Sequence, residues 1–444
     1  MGAPDRGLSP PRRVIIVGGG AAGTLVGIHL ATRSAGTRQI VIVEPAERLG
    51  EGIAYSTTSP SHLLNVRADG MSAFPDHPSD FTEWARRTGL PLRGTEFLPR
   101  MLYARYLRES LEASAGAAFV RHDRARAVGL LDGARVMLSD GTETAADDLV
   151  LATGNHMAAL PWLPDAPGVI RDPWAPGALD GIGRMASVAI VGSGLSAVDV
   201  VLSLRDRDHQ GGVALVSSHG LLPEPHLPEV LATRPSPVDP ASVTDARGLV
   251  RVLRADAAVA DDWRQTIDGV RPVTVATWQA LSLPERRRAV RHAFRRWEVR
   301  RHRMAPEVAA IVERQRAAGR LTTLRGRVLA VESVSAGLGI RIDDGESARV
   351  VRVDVVVACV GPSADPLHDP LLSRAISDGV LTRHPLGLGL DVDALGRARR
   401  PDGSVHEHVW TVGSLRKGAE WESTAVPELR LHAAAVAAGI VEEA

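Results

Sequence analysis

RVIIVGGGAAGTLVGIHLA (13–31) passes from an all-apolar strand through a glycine turn into a helix, and its reading decides the fold. Gly18, Gly20 and Gly23 set G-x-G-x-x-G directly after that strand. There the first glycine permits the tight turn and the second lets a pyrophosphate approach the backbone. The third lets helix and strand pack closely, with the phosphate charge facing the helix N-terminus. The next apolar strand, Ile40-Val41-Ile42-Val43, ends at Glu44, about 20 residues past the last glycine, where a carboxylate accepts hydrogen bonds from ribose hydroxyls. Strand, glycines and acid in register predict a dinucleotide-binding module.

The same plan occurs twice. ASVAIVGSGLSAVDVVLSL (186–204) opens a second copy with Gly192, Gly194 and Ala197, the G-x-G-x-x-A variant. The first copy closes with VRHDRARAVGLLDGARVMLSDGTETAADDLVLATG (120–154), which reads as short strands with turns at Asp132-Gly133 and Asp140-Gly141. The second closes with LRGRVLAVESVSAGLGIRIDDGESARVVRVDVVVACVG (324–361), with turns near Gly337 and at Asp344-Gly345. A repeat this long implies two related nucleotide-binding modules, hence an α/β fold with two doubly wound, Rossmann-like domains. The strand Val213–Val216 of the second copy ends in Ser217-Ser218-His219 rather than an acid. A missing carboxylate removes repulsion against a 2′-phosphate and favours NADP(H) over NAD(H), although no arginine in those three positions grips that phosphate. A vestigial second module that no longer binds nucleotide is the alternative.

The 444 residues suffice for two or three domains, and 44% hydrophobic with 23% charged residues is ordinary for a soluble globular chain. The 52 basic and 52 acidic side chains cancel, which argues against a dedicated nucleic-acid or membrane-surface binder. Arginine supplies nearly all the positive charge, and Lys417 is the only lysine. A single cysteine, Cys359 on an apolar strand, excludes an intrachain disulfide framework and the dithiol of disulfide reductases. The fifteen histidines show no metal-ligand spacing, so no metal is expected. Arg12-Arg13 imitates an export signal, but the apolar run behind it breaks at once into glycines. A soluble, cytoplasmic enzyme is expected.

Between the parts of the second module lies a region of different character, proline-rich from Pro223 and then helical. One helix is predicted over about 284–303, with Val290, Phe294 and Trp297 as its buried stripe and arginines on the other face. Those arginines are either solvated or gather an anionic nucleotide or carboxylate substrate; Arg301 and Arg303 are the substrate-binding candidates. A final helix is predicted to begin near Thr424, with Leu429, Ala433, Val436 and Ile440 as its core face and Gly439 helping to end it. FAD suits the first module, whose loop after Glu44 carries Gly50 and Gly52. The N-terminus of the final helix, at Thr424-Ala425-Val426, would face the negative charge of reduced flavin.

Gly18–Gly23, the 50–84 stretch ending SHLLNVRADGMSAFPDHPSDFTEW, Gly192–Asp199, HGLLPEPH (219–226), RWEVRRHRMAP (296–306) and WTVGSLRKGAEWESTAVPELR (410–430) together resemble the FAD/NAD(P)-binding flavoproteins that include amino-acid N-hydroxylases of the nitrosuccinate-synthase type. The resemblance covers nearly the whole chain. It implies FAD and NAD(P)H as cofactors, chemistry through a C4a-hydroperoxyflavin and N-hydroxylation of a small amino acid or amine with O₂; the missing carboxylate after Val216 makes NADPH the expected nucleotide. It adds Asn65, Gly154 and Gly413 to the cofactor contacts and leaves the catalytic residues unassigned, because the chemistry is flavin-centred. Many members carry an arginine where this chain has Ser218 and His219. The expected organisation is an FAD domain in two parts, 11–182 and 362–444, an NAD(P)H domain in two parts, 183–222 and 321–361, and a helical segment, 223–320, shaping the active-site mouth. The expected partners are a small-molecule substrate and O₂, with no nucleic acid and no membrane; self-association is left open. The alternatives are an NAD(P)H:acceptor flavin oxidoreductase without oxygen insertion and a non-catalytic flavin- or nucleotide-binding subunit. A Baeyer–Villiger signature is missing, since 167–174 lacks its histidine spacing.

Overall fold

The computed structural model describes residues 11–131, 134–157 and 159–442. Its first sheet has six strands in the order Arg397–Arg399, Val405–Thr411, Asp148–Leu151, Arg12–Val17, Arg38–Val43, Val120–Asp123. All neighbours run parallel except the first pair. The second sheet has five parallel strands in the order Leu321–Arg325, Val213–Ser217, Val188–Val191, Val355–Ala358, Val169–Ile170. The two glycine fingerprints follow central strands, Arg12–Val17 and Val188–Val191. These read as unbroken apolar runs because both faces of a parallel sheet are covered, and Val14, Ile15, Ile16, Val188, Ala189 and Ile190 are fully buried.

The repeat in the sequence is a repeat in space. In each copy a three-stranded antiparallel meander follows the strand–helix–strand unit: Ala127–Leu131, Arg135–Leu138, Glu143–Ala145 in one and Arg327–Ser333, Leu338–Asp343, Ala348–Val353 in the other. The chain then returns to the sheet beside the fingerprint strand. The expected α/β fold with two doubly wound modules is the observed one. The turn assigned to Asp132-Gly133 lies outside the described residues.

Three local expectations need correction. The helix expected over 284–303 is two, Leu283–His292 and Phe294–Arg301, parted at Ala293. Its stripe of Val290, Phe294 and Trp297 is only half-buried, since Val290 and Phe294 face a cavity rather than the core. Gly439 does not end the final helix, which runs Val426–Glu442. A side chain at 439 would place its Cβ 2.5 Å from the Trp410 ring, so glycine is there to let the helix lie against that indole. Leu429, Ala433, Val436 and Ile440 do face the core. Among the described residues no helix is long and apolar enough to cross a membrane.

Candidate functional site

Two cavities meet between the sheets. The inner one, about 230 Å³, is walled by Asn65, Arg100, Asp199, His302, Arg303 and the start of the final helix, Thr424, Ala425 and Val426. The larger, about 680 Å³, opens on the Gly192, Ser193 and Gly194 turn and on Ser217, Ser218 and His219. His302 and Leu195 stand in both walls, so the cavities abut there.

The residues assigned to the first nucleotide gather at one end of the first sheet. Gly18 (φ +101°) has the left-handed backbone of the tight turn. Gly50 donates its N–H to the Gly19 carbonyl (2.8 Å), which draws the 50–52 loop over the fingerprint. Glu44 follows its strand as expected, but its carboxylate is partly engaged. Oε2 accepts from the Gly19 N–H (2.8 Å) and Oε1 from the Ala46 N–H (3.0 Å), which fixes its position and leaves lone pairs for a ribose. Asn65, Thr424, Ala425 and Val426 come together around the inner cavity. Gly154 and Gly413 do not line either cavity; they lie at neighbouring strand ends, joined by the Ser414 hydroxyl donating to the Gly154 carbonyl (2.7 Å).

Arg301 and Arg303 part company. Arg301 is buried against Glu422 (3.6 Å) and Glu428 (3.9 Å) and reaches neither cavity. Arg303 is equally buried and pairs with Asp268 through Nη2, but its Nε and Nη1 find no hydrogen-bond partner and the residue lines the inner cavity. Orphaned buried guanidinium nitrogens in a cavity wall are costly unless something with acceptor oxygens comes to them. A flavin, with carbonyl oxygens on its pyrimidine edge, or a carboxylate, fits that wall chemically, and a reduced dinucleotide suits the size and the backbone N–H turn of the larger cavity.

Burial shapes the titration of this region. His302 is pushed down to about 4, burial outweighing the pull of Glu422, with Arg301 and Lys417 adding to the downward shift. Asp199, on the helix Leu195–Asp206, holds an ion pair of 2.6 Å with Arg100 at the start of the helix Arg100–Glu112, and burial still keeps its carboxyl above the usual range. His226, whose Nε2 lies 3.1 Å from the Asn65 carbonyl, is pushed down to about 3 by burial and then by the Arg303 charge. Below its ordinary value of 6.5 the unfolded chain takes up a proton that the folded chain refuses, so stability falls as pH falls. His226 alone should cost about 2 kcal/mol between pH 7 and pH 5. Urea unfolding at the two pH values should show a distinctly smaller loss for His226→Gln than for the parent; equal losses would assign the effect elsewhere.

Sequence reasoning found no arginine beside Ser217-Ser218-His219, and the structure brings one to that wall from another strand. Leu321–Arg325 pairs in parallel with Val213–Ser217, and Gly326 donates to the Ser217 carbonyl (3.0 Å), so Arg327 lines the larger cavity together with Ser217, Ser218 and His219. Arg295 was also unassigned; it donates to the Ser193 hydroxyl and the Leu221 carbonyl (both 3.1 Å), bracing the second fingerprint. The available signal was strand order: two parallel strands ending at one edge bring their following residues together, over a hundred residues apart in sequence. Cys359 is a packed side chain, its thiol pushed up to about 12 by burial.

Residues 15–156 match a family model described as FAD-NAD(P)-binding. No curated protein sequence matches the chain. Solved structures match over nearly its full length at low identity. An ornithine N-hydroxylase from Kutzneria sp. 744 superposes with a TM-score of 0.69 at 16% identity, over 98% of this chain and 100% of that one. The L-lysine 6-monooxygenase of Pseudomonas syringae gives 0.66 at 18%, over 97% and 99%. The ornithine hydroxylase of Pseudomonas aeruginosa gives 0.65 at 15%, over 98% and 99%. The chain shares their fold.

Proposed function

We propose that the protein is an FAD-dependent, NADPH-using monooxygenase that hydroxylates the nitrogen of a small amino acid or amine, working in the cytoplasm. The observation that carries the reading is the meeting of the two cavities at His302. One is fitted to a flavin ring and the other to a reduced dinucleotide, on a fold shared with ornithine and lysine hydroxylases. On this reading 11–182 with 362–444 form the FAD module, 183–222 with 321–361 the nucleotide module, and 223–320 the mouth.

Gly18, Gly20, Gly23, Glu44, Gly50 and Gly52 would hold the dinucleotide part of FAD, and Asn65 with Thr424, Ala425 and Val426 its ring. The chemistry such a cofactor supplies is hydride acceptance from NADPH and activation of O₂. The chain contributes orientation, exclusion of water and fixed charge. The positive end of the helix Val426–Glu442 favours negative charge at the inner cavity. Leu64, Val66, Met71 and Met304 make much of that cavity apolar, so charges inside act at low dielectric. His302, neutral above about pH 4, adds no cation at the junction. Arg303 is our candidate for a substrate carboxylate that reaches the inner cavity, such as the side-chain carboxylate of an acidic amino acid. Arg301, held by two glutamates, steadies the wall rather than touching substrate.

A charge-assisted contact contributes about 1.5–3 kcal/mol, so Arg303→Ala should weaken the stimulating substrate roughly ten- to a hundredfold, and Arg301→Ala much less. The measurement is amino-acid-stimulated NADPH oxidation together with hydroxylamine product and released peroxide. If no amino acid or amine yields a hydroxylated nitrogen while a quinone turns over rapidly, the protein is an acceptor reductase instead. NADPH should outperform NADH, and Arg327→Ala should raise KM for NADPH about tenfold while leaving NADH nearly unchanged. Equal use of both nucleotides by the parent removes the 2′-phosphate assignment.

A further inference from the structure

Lys417 is the only lysine in the chain, although lysine and arginine together number 52. Wherever a general cation serves, this sequence uses arginine. One compact ammonium has been kept, and it stands in the wall of the larger cavity. An ammonium is a point charge that needs no planar fork around it, so it fits where a guanidinium would crowd a small ligand. Its Nζ lies over two rings, 5.0 Å from the centroid of Phe294 and 5.7 Å from that of Trp421. Among the described residues no carboxylate comes within 4.0 Å of it. The carboxylate that shares this cavity wall is Glu298; burial holds its carboxyl above the usual range against the downward pull of Lys417, and Arg295 Nη1 stands 3.6 Å from it on its other side. The two opposite charges face the same space without closing on each other.

Trp421 is built for this place at a cost. It is one of three non-glycine residues with positive φ among those described (φ +68°, ψ −62°), a conformation that bulky side chains avoid. Its N–H donates to the Lys417 carbonyl (2.9 Å), and its ring stacks on Trp278 (4.6 Å between centroids) and meets Phe294 edge-on (4.9 Å). The strained turn thus sets an indole beneath the ammonium. Glu298 lies four residues before His302, whose N–H donates to the Glu298 carbonyl (2.8 Å), so this corner of the larger cavity adjoins the junction with the inner one.

We propose that Lys417 and Glu298 form the head-group site for an amino acid, the ammonium taking its carboxylate and Glu298 its amino group, against the aromatic wall of Phe294 and Trp421. The ligand class rests on the amino-acid reading given above; the site itself rests on an ammonium that no carboxylate closes on, set over two rings and facing Glu298 across the same cavity.

As the only ε-amine, Lys417 can be read alone. Acetylation of FAD-loaded protein with an N-hydroxysuccinimide ester, followed by peptide mass spectrometry, reports this side chain, with the chain's α-amino group as control. Saturating L-aspartate or L-ornithine should slow acetylation at least about fivefold, while succinate and putrescine, each lacking one of the two charges, should slow it less than about twofold. Equal protection by putrescine, or by NADP⁺ alone, overturns the proposal and hands the lysine to another ligand. Lys417→Met keeps the stem over the rings and removes the charge. It should raise KM for the stimulating amino acid about tenfold with a smaller change in kcat, and an unchanged KM also overturns the proposal. Protection of Lys417 by an amino acid that is never hydroxylated keeps the site and removes the monooxygenase reading; hydroxylated product with an unprotected lysine does the reverse.

Discussion

Gly20→Val should purify folded and colourless. The backbone at Gly20 is extended (φ −66°, ψ −170°), a conformation open to any residue, and it caps the helix Ala21–Ser34. An added Cβ there meets only the Gly52 backbone, its Cα at 3.5 Å and its N at 3.9 Å, which is ordinary contact. The protein itself therefore tolerates a side chain at this position. Valine is a poor helix cap, but that penalty is about 1 kcal/mol against a buried core of two sheets. What the isopropyl group removes is the space over the free N–H groups of the first helical turn, where a pyrophosphate must come close. The outer glycines behave differently. At Gly18 a Cβ would lie 2.3 Å from the Ala152 carbonyl oxygen, and at Gly23 it would lie 1.9 Å from the Gly18 carbonyl oxygen. Alanine at either should destabilise the fold, with or without cofactor. Visible flavin absorbance of the purified variants, alongside circular dichroism and thermal unfolding, separates the two effects. A Gly20→Val protein that stays yellow and fully loaded would remove FAD from this module.

This division explains how much could be read from the sequence. The fingerprints were legible because everything that makes them is local: a strand, a turn and a helix start within about a dozen residues. The repeat was legible because Asp148–Leu151 and Val355–Ala358, each returning beside its own first strand, are as apolar as the strands they join. The side chains in the cavity walls were not. Arg327 shares a cavity wall with Ser217 only through strand pairing, and Lys417 meets Phe294, over a hundred residues earlier, only after the chain has passed through both sheets. The stripe Val290, Phe294 and Trp297 had the periodicity of a core face, yet periodicity does not distinguish a core from a cavity. Arg301 and Arg303 look alike in sequence and differ only in their partners, two glutamates for one and a single aspartate plus an open wall for the other.

In the second module the same physics predicts a variant that keeps its flavin and loses its reductant. Gly192 cannot be changed for this purpose. Its backbone is left-handed (φ +128°), and a Cβ there would lie 1.9 Å from the Cys359 carbonyl oxygen, inside the packing of the sheet. Gly194 can. It is extended (φ −84°, ψ −172°), nothing lies within 4 Å of an added Cβ, and it faces the larger cavity at the start of the helix Leu195–Asp206. Gly194→Val should therefore fold normally and remain yellow, because the first fingerprint is untouched. Its side chain would stand where the NADPH pyrophosphate approaches the helix N-terminus, and losing about 3 kcal/mol of that interaction slows reduction more than a hundredfold at limiting NADPH. Anaerobic stopped-flow reduction by NADPH measures this directly, and dithionite, which needs no nucleotide site, should bleach parent and variant alike. Normal NADPH reduction of Gly194→Val would mean that the second module is vestigial and that hydride reaches the flavin by another route. A variant slow with both reductants would point to a damaged flavin site instead, so the comparison of the two reductants carries the conclusion.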